Sequence, residues 1–224
     1  MNICEIFHSC QMEGPTIGFP TVFIRTFGCN LHCRFNGVSC DTPYAMSGTP
    51  KKMTIAEIVN EVQKYSQCKR ITISGGESFI QMKELELLIT HPALKDYFIE
   101  VETNGTIEPS DILKKRINQF NVSPKLISSN QILACEIIRI GFRACWFPQK
   151  KTTFKFVISN PQDELEIEEF IIHNPKANIM LMPQGETRVV YLENAPMVVE
   201  LCKKWNVRYS PREHIVIYDK KRGV

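Results

Sequence analysis

Apolar and β-branched residues along this chain fall into short runs, and the stretches between them repeat their apolar positions at helical spacing. The runs Thr21–Phe27, Arg70–Ser74, Tyr97–Glu102, Phe120–Ser123, Thr153–Ile158, Ala177–Met182 and Val207–Ser210 predict strands. Thr54-Ile55-Ala56-Glu57 is a capping box that opens a helix reaching about Tyr65. Further helices are predicted over Met82–Thr90, Ser110–Ile117, Asn130–Ile140, Asp163–His173 and Glu193–Lys204. The segment starting at Asp163 carries acidic residues in its first turns, where the helix dipole favours them. A last short run, Ile215–Tyr218, predicts one more strand. Alternating strands and helices imply an α/β fold with a parallel sheet. About six strand–helix units are too few for an eight-stranded barrel, so a partial (β/α) barrel is expected.

Composition narrows the picture only slightly. The 224 residues are enough for one domain with a large core, and a single domain over 1–224 is expected, without repeat or linker. A hydrophobic fraction of 43% and a charged fraction of 23% are ordinary for a globular protein. The net charge is +3 with scattered Lys and Arg, which gives no warrant for a nucleic-acid partner. Met1-Asn2-Ile3-Cys4-Glu5 lacks the features of a signal peptide. No apolar stretch approaches the roughly 20 residues of a membrane span. Nine cysteines in a chain of this size read as reduced thiols, and the expected location is the cytoplasm. Cys4, Cys10, Cys68, Cys135, Cys145 and Cys202 are expected to pack as small hydrophobes.

Three other cysteines ask for a different explanation. Cys29, Cys33 and Cys40 lie in Gly28-Cys29-Asn30-Leu31-His32-Cys33 … Cys40-Asp41-Thr42, directly after the first predicted strand. Three thiolates on one short loop suit an iron–sulfur cluster, and a cubane held by three ligands keeps one iron open. The same spacing suits a zinc site completed by His32 or another cysteine, or plain packing. The remaining unusual residues also follow strands: Gly75-Gly76-Glu77, Thr103-Asn104-Gly105, Pro124-Lys125, Ser159-Asn160 and Pro183-Gln184-Gly185. Loops at the carboxyl ends of parallel strands build active sites in such folds. Paired glycines let a ligand approach the backbone, and a carboxylate beside them can hold an ammonium group. Gly-Gly after a strand is equally an ordinary tight turn.

With these motifs in order, the chain resembles the radical S-adenosylmethionine (SAM) superfamily, and within it the 7-carboxy-7-deazaguanine synthases of the queuosine pathway. Glu5-Ile6-Phe7 … Gln11-Met12-Glu13-Gly14-Pro15 looks like the family's N-terminal segment. Phe23-Ile24-Arg25 … Gly28-Cys29-Asn30-Leu31 and Cys40-Asp41-Thr42-Pro43-Tyr44-Ala45 look like its cluster loop. Ser74-Gly75-Gly76-Glu77, Glu102-Thr103-Asn104-Gly105-Thr106, Ser123-Pro124-Lys125-Leu126, Leu181-Met182-Pro183, Ser210-Pro211-Arg212 … His214 and Lys221-Arg222-Gly223-Val224 follow in family order.

The resemblance implies a modified radical-SAM core with a [4Fe–4S] cluster on Cys29, Cys33 and Cys40. Its open iron chelates SAM, and one electron cleaves the sulfonium to a 5′-deoxyadenosyl radical, which the protein must position and keep from water. By the same carry-over, Gly75, Gly76 and Glu77 hold the methionyl ammonium. Thr103, Asn104, Ser123 and Lys125 lie near the ribose and carboxylate, and Phe35 near the adenine. The implied substrate is 6-carboxy-5,6,7,8-tetrahydropterin, which loses a hydrogen atom, contracts a ring and expels ammonia. Arg25 offers its carboxylate a bidentate fork, unless it is salt-bridged to a neighbouring strand. Gln11, Glu13 and Gly14 resemble readers of the pterin edge, or else form an ordinary polar turn. Thr42 matches the position that supplies a hydroxyl to Mg²⁺, and His214 with the C-terminal segment closes over the substrate. The family also implies a homodimer and an external one-electron donor such as flavodoxin.

Three departures stand out. Six residues, Arg34-Phe35-Asn36-Gly37-Val38-Ser39, separate Cys33 from Cys40 where the family has two, as if a turn at Asn36-Gly37 had been inserted. Met12 replaces a glycine, and Ser78 replaces the proline after Glu77. Two other readings compete. A glycyl-radical activase on the same scaffold would take a protein substrate. A non-catalytic zinc or Fe–S protein would leave Gly75-Gly76-Glu77 and Thr103-Asn104 without a purpose.

Overall fold

In the computed structural model, which describes residues 1–35, 38–40, 42–130 and 144–224, the predicted strands line up as one sheet. In chain order the elements are β1 (Asn2–Cys10), β2 (Pro20–Thr26), β3 (Arg34–Phe35), β4 (Val38–Ser39), β5 (Lys51–Lys52), α1 (Ile55–Gln63), β6 (Arg70–Gly75) and α2 (Met82–Ile89). There follow β7 (Phe98–Thr103), α3 (Asp111–Arg116), β8 (Gln119–Val122), β9 (Thr152–Ile158), α4 (Asp163–His173), β10 (Asn178–Pro183), α5 (Arg188–Trp205), β11 (Arg208–Tyr209) and α6 (Glu213–Tyr218). The nine-stranded sheet has the order β11-β10-β9-β8-β7-β6-β2-β1-β5. From β2 to β11 neighbouring strands are parallel and follow chain order, while β1 pairs antiparallel with β2. Among the described residues the sheet does not close on itself, so the architecture is a partial (β/α) barrel, as the strand–helix count predicts.

Period-two alternation gives this sheet two chemically different faces. Ile71 and Ile73, Ile99 and Val101, Phe120 and Val122, and Phe154, Phe156 and Ile158 point into one apolar core. The helices cover that face with Ile58, Val59 and Val62 from α1, Leu85, Leu88 and Ile89 from α2, and Ile167 and Phe170 from α4. Each such buried side chain contributes about 2 kcal/mol over leaving it in water. The intervening positions are largely polar: Ser74 on β6, Glu100 and Glu102 on β7, Asn121 on β8 and Lys155 on β9. A parallel sheet covered on both faces would be apolar throughout; this one keeps its second face for a pocket.

Capping chemistry sets several boundaries. Thr54 Oγ1 accepts from Glu57 N–H (3.2 Å) while Thr54 N–H donates to Glu57 Oε2 (2.7 Å), completing the expected box at α1. At α5 the Thr187 side chain accepts from Val190 N–H, so that helix begins at Arg188 and not at Glu193. The expected strand over Ile215–Tyr218 is instead helix α6, because Arg212 C=O accepts from Ile215 N–H (3.0 Å) and Asp219 N–H donates to Ile215 C=O (3.0 Å). A four-residue apolar run carries no period that separates helix from strand. Strand β1 has no counterpart among the predicted strands, since its mixed, half-buried residues lack clean alternation. The helix expected over Asn130–Ile140 lies, beyond Asn130, outside the described residues, as do Cys135, Asn36 and Gly37. Among the described residues, no helix is long and apolar enough to cross a membrane.

Candidate active site

The loop after β2 carries the cysteines, and the extra residues between Cys33 and Cys40 take a definite form. β3 and β4 pair as a hairpin, Arg34 opposite Ser39 and Phe35 opposite Val38. Cys40 N–H then donates to Cys33 C=O at 2.9 Å, so the hairpin returns Cys40 beside Cys33. Cys29, Leu31, Cys33, Phe35 and Cys40 pack together with Val157. Cys29 Sγ accepts from Leu31 N–H (3.4 Å), and burial pushes its thiol up from the usual range. Phe35, expected near an adenine, belongs to this apolar cluster. Of the cysteines expected to pack, Cys68 and Cys202 are buried, with the Cys202 thiol pushed up to about 11 by burial. Cys145 is exposed, and Cys10 lines a pocket.

The glycine loop after β6 lies against the cysteine loop. A Cβ at Gly76 would stand 2.1 Å from Gly28 O, and one at Gly75, whose φ is +136°, 2.3 Å from Thr26 O. Both positions exclude any side chain because two backbones meet there. Glu77 N–H donates to Gly28 O (2.8 Å), tying the loops together. The Glu77 carboxylate is buried and accepts from Phe79 N–H (3.1 Å), Thr103 Oγ1 (2.9 and 3.0 Å) and Asn104 N–H (2.7 Å). Burial pushes its carboxyl above the ordinary value, against the pull of those donors. Glu77 therefore joins the turns after β6 and β7, and it does not line the pocket beside Gly75 and Gly76. Asn104 is similarly engaged: its Nδ2 donates to Asn30 Oδ1 (2.9 Å), and its Oδ1 accepts from Thr106 Oγ1 (2.6 Å). Glu77→Gln would set an amide NH2 against the Asn104 or Phe79 N–H. We expect it to cost about 1–3 kcal/mol in thermal or denaturant unfolding, with an unchanged midpoint refuting this role.

Two pockets open on the polar face of the sheet. The first is lined by Cys29, Cys33, Cys40, Gly75, Gly76, Thr103 and Asn104, together with Thr42, Glu102, Ser123 and Lys125. The second and larger one is lined by Gln11, Glu13, Arg25, Lys155, Arg212 and His214, among others, and by the same Thr42, Glu102, Ser123 and Lys125. Those four residues form a common wall. Lys125 Nζ donates to Ser123 Oγ (2.9 Å) on it. The chain segment from Asp219 to Val224 borders the larger pocket.

Within the larger pocket, Gln11 holds its own loop in shape. Its Oε1 accepts from Met12 N–H (3.0 Å) and Glu13 N–H (3.2 Å), and its Nε2 donates to Glu100 Oε1 (2.9 Å). Gly14, at φ +71°, donates its N–H to Ser210 Oγ (2.9 Å). Arg25 Nε donates to Glu5 Oε1 (2.8 Å) on the neighbouring strand β1, and its guanidinium lies over the rings of Phe7 and Tyr44. Glu13 Oε2 accepts from Lys155 Nζ (2.6 Å) and its Oε1 from Arg212 Nε (3.1 Å), with His214 Nε2 at 3.7 Å. Burial works to raise the Glu13 carboxyl, but Lys155, Arg212 and His214 hold it well below the usual carboxylate range. Lys155 Nζ also donates to Glu102 Oε2 (3.1 Å). Burial raises the Glu102 carboxyl, and the nearby Glu13 and Glu100 add to that rise.

Most residues proposed from sequence thus border one pocket or the other. Glu102, Lys155, Ser210, Arg212 and Tyr44 were not among them. For Glu102 and Lys155 the signal was present: charged residues inside otherwise apolar central strands are rare unless they face a site.

Fold and cysteine loop together define a radical SAM enzyme, and the sequence profile of the Radical SAM superfamily matches residues 23–141. The 7-carboxy-7-deazaguanine synthase of Pyrobaculum aerophilum is 31% identical over 100% of this chain and 97% of its own length. That of Halobacterium salinarum is 31% identical over 98% of this chain and 91% of its own length. In fold, the crystal structure of QueE from Escherichia coli superposes with a TM-score of 0.66 at 20% identity, covering 94% of this chain and 92% of that one. The chain belongs to the 7-carboxy-7-deazaguanine synthase family.

Membership of the superfamily implies a [4Fe–4S] cluster and SAM. The donor set fits such a cluster. Three cysteine sulfurs border one pocket. A cubane accepts that arrangement, because each thiolate binds a different iron.

Proposed function

We propose that this protein converts 6-carboxy-5,6,7,8-tetrahydropterin to 7-carboxy-7-deazaguanine with loss of ammonia. One observation carries the reading: the cysteine-lined pocket and the larger pocket share Thr42, Glu102, Ser123 and Lys125 as a wall. A cofactor in the first and a substrate in the second would face each other directly. Cys29, Cys33 and Cys40 would hold the cluster, and Gly75 and Gly76 would offer backbone groups to SAM, with Thr103, Asn104, Ser123 and Lys125 around it. When bound, this pair supplies hydrogen-atom abstraction.

The chain's own groups would do the rest. Glu13, kept ionised by its cations, suits the N–H donors of an amino-pyrimidinone edge, while Gln11 and Gly14 fix the loop that presents it. Arg25, aligned through Nε by Glu5, suits the substrate carboxylate. Thr42, on the shared wall, is placed to give its hydroxyl to an Mg²⁺ ion that also takes substrate oxygens. His214 and the segment from Asp219 to Val224 border the pocket where they can exclude water. That border favours a small-molecule substrate over the polypeptide of an activase. We further propose that the enzyme is a cytoplasmic homodimer supplied by an external electron donor such as flavodoxin.

The test is anaerobic reconstitution followed by incubation with reductant, SAM, Mg²⁺ and the carboxytetrahydropterin, watched by mass spectrometry. Appearance of 7-carboxy-7-deazaguanine is expected. Formation of 5′-deoxyadenosine without it would transfer the assignment to another radical reaction on the same scaffold.

A further inference from the structure

Lys155 is the least expected residue on the polar face. It occupies the middle of β9 between Phe154 and Phe156, which both enter the apolar core, and its own side chain is only 3% exposed. A buried ammonium is costly unless it is paired and hydrogen-bonded. Here it meets two carboxylates from distant parts of the chain, Glu13 after β1 and Glu102 on β7.

Each of those carboxylates has its second oxygen anchored elsewhere. Glu13 Oε1 accepts from Arg212 Nε (3.1 Å), and Glu102 Oε1 accepts from Asn121 Nδ2 (3.1 Å). Lys155 is thus the link between two independently fixed groups, one inside the larger pocket and one on the wall between the pockets. Lys155 and Arg212 offset the charges of Glu13 and Glu102, beside which the buried Glu100 adds a third carboxylate, so the ammonium cannot be spared cheaply. Without the ammonium, two partly buried carboxylates would lie side by side, and the proton would go to Glu102 and not to Glu13, which keeps Arg212 and His214 beside it. Glu13 Oε2 would then lose the donor that fixes its direction, and with it the single orientation in which it meets the N–H edge of a pterin.

We propose that Lys155 is a positioning residue that locks Glu13 against Glu102, so that the substrate is held over the cofactor pocket in a single orientation. The proposal rests on the pterin reading of the larger pocket. It assigns Lys155 no contact with the reacting atoms. Its loss should therefore uncouple hydrogen abstraction from productive turnover, in addition to weakening binding.

The test compares reconstituted wild-type protein with Lys155→Met, Lys155→Gln and Lys155→Arg. The measured quantities are the yield of deazaguanine product per 5′-deoxyadenosine released, and the affinity for the carboxytetrahydropterin by calorimetry. A wild-type protein that makes no deazaguanine would overturn the functional reading itself, independently of the variants. With an active wild type, Lys155→Met should keep the cluster spectrum, lower the coupling ratio about tenfold or more and weaken substrate binding by a similar factor. Lys155→Arg, which restores the charge, should recover part of both. Lys155→Gln keeps a donor for one carboxylate and carries the same readout if the Met variant fails to fold. Wild-type coupling and affinity in a folded Met or Gln variant would refute the proposal, as would weakened binding at unchanged coupling.

Discussion

Cys40→Ala is expected to give a protein that folds but remains colourless after anaerobic reconstitution and releases no 5′-deoxyadenosine. Cys40 is the cysteine farthest along the loop, separated from Cys33 by six residues, and the β3–β4 hairpin brings it back beside Cys33. The substitution removes one sulfur from a half-buried site in a small apolar cluster, so the fold should lose only about 1 kcal/mol. A cluster held by three thiolates has no spare ligand, and loss of one removes it. Iron and sulfide analysis with the visible spectrum would decide the matter. A stable, wild-type cluster in Cys40→Ala would mean that another residue closes the site.

Arg25→Ala should leave the cluster spectrum intact and lower product formation by about 100-fold, equivalent to roughly 3 kcal/mol of binding and orientation. The residue stands on β2, outside the cysteine loop, with its guanidinium between Phe7 and Tyr44. Its salt bridge to Glu5 is partly exposed, and Arg222 lies 3.5 Å from the other Glu5 oxygen, so breaking the pair should cost the fold about 1 kcal/mol or less. Product formation within a few-fold of wild type would restrict Arg25 to the strand-pairing role that its bond to Glu5 already performs. Loss of the cluster would make it structural.

The order of strands and helices was legible because the strands are short runs rich in apolar and β-branched residues and several helices carry their own caps. β6, β7, β9 and β10 form within a residue or so of their expected bounds, and α1 opens on its capping box. The misreadings have equally local causes. α6 is an apolar run too short to show a period, and β1 is a half-buried strand whose pattern depends on what lies on each side. In the site, the cysteines and the glycine loop were visible because tight turns and thiol spacing are local features. Glu77 shows the limit of that reading. Its place after two glycines suggested a ligand for a cofactor, yet its carboxylate is engaged by the turns after β6 and β7.

The sequence by itself determined which loops follow which strands, that three thiols share one of them, and that the strands are parallel. Those properties follow from periodicity, turn chemistry and spacing, which act over a few residues. Only the tertiary structure decided that Glu13, Glu102, Lys155 and Arg212 meet. They come from the loop after β1, from β7, from β9 and from the start of α6, and the contact between Glu13 and Arg212 spans 199 residues. Such a meeting is set by strand register and sheet order, because a one-residue slip in β9 would turn Lys155 into the apolar core.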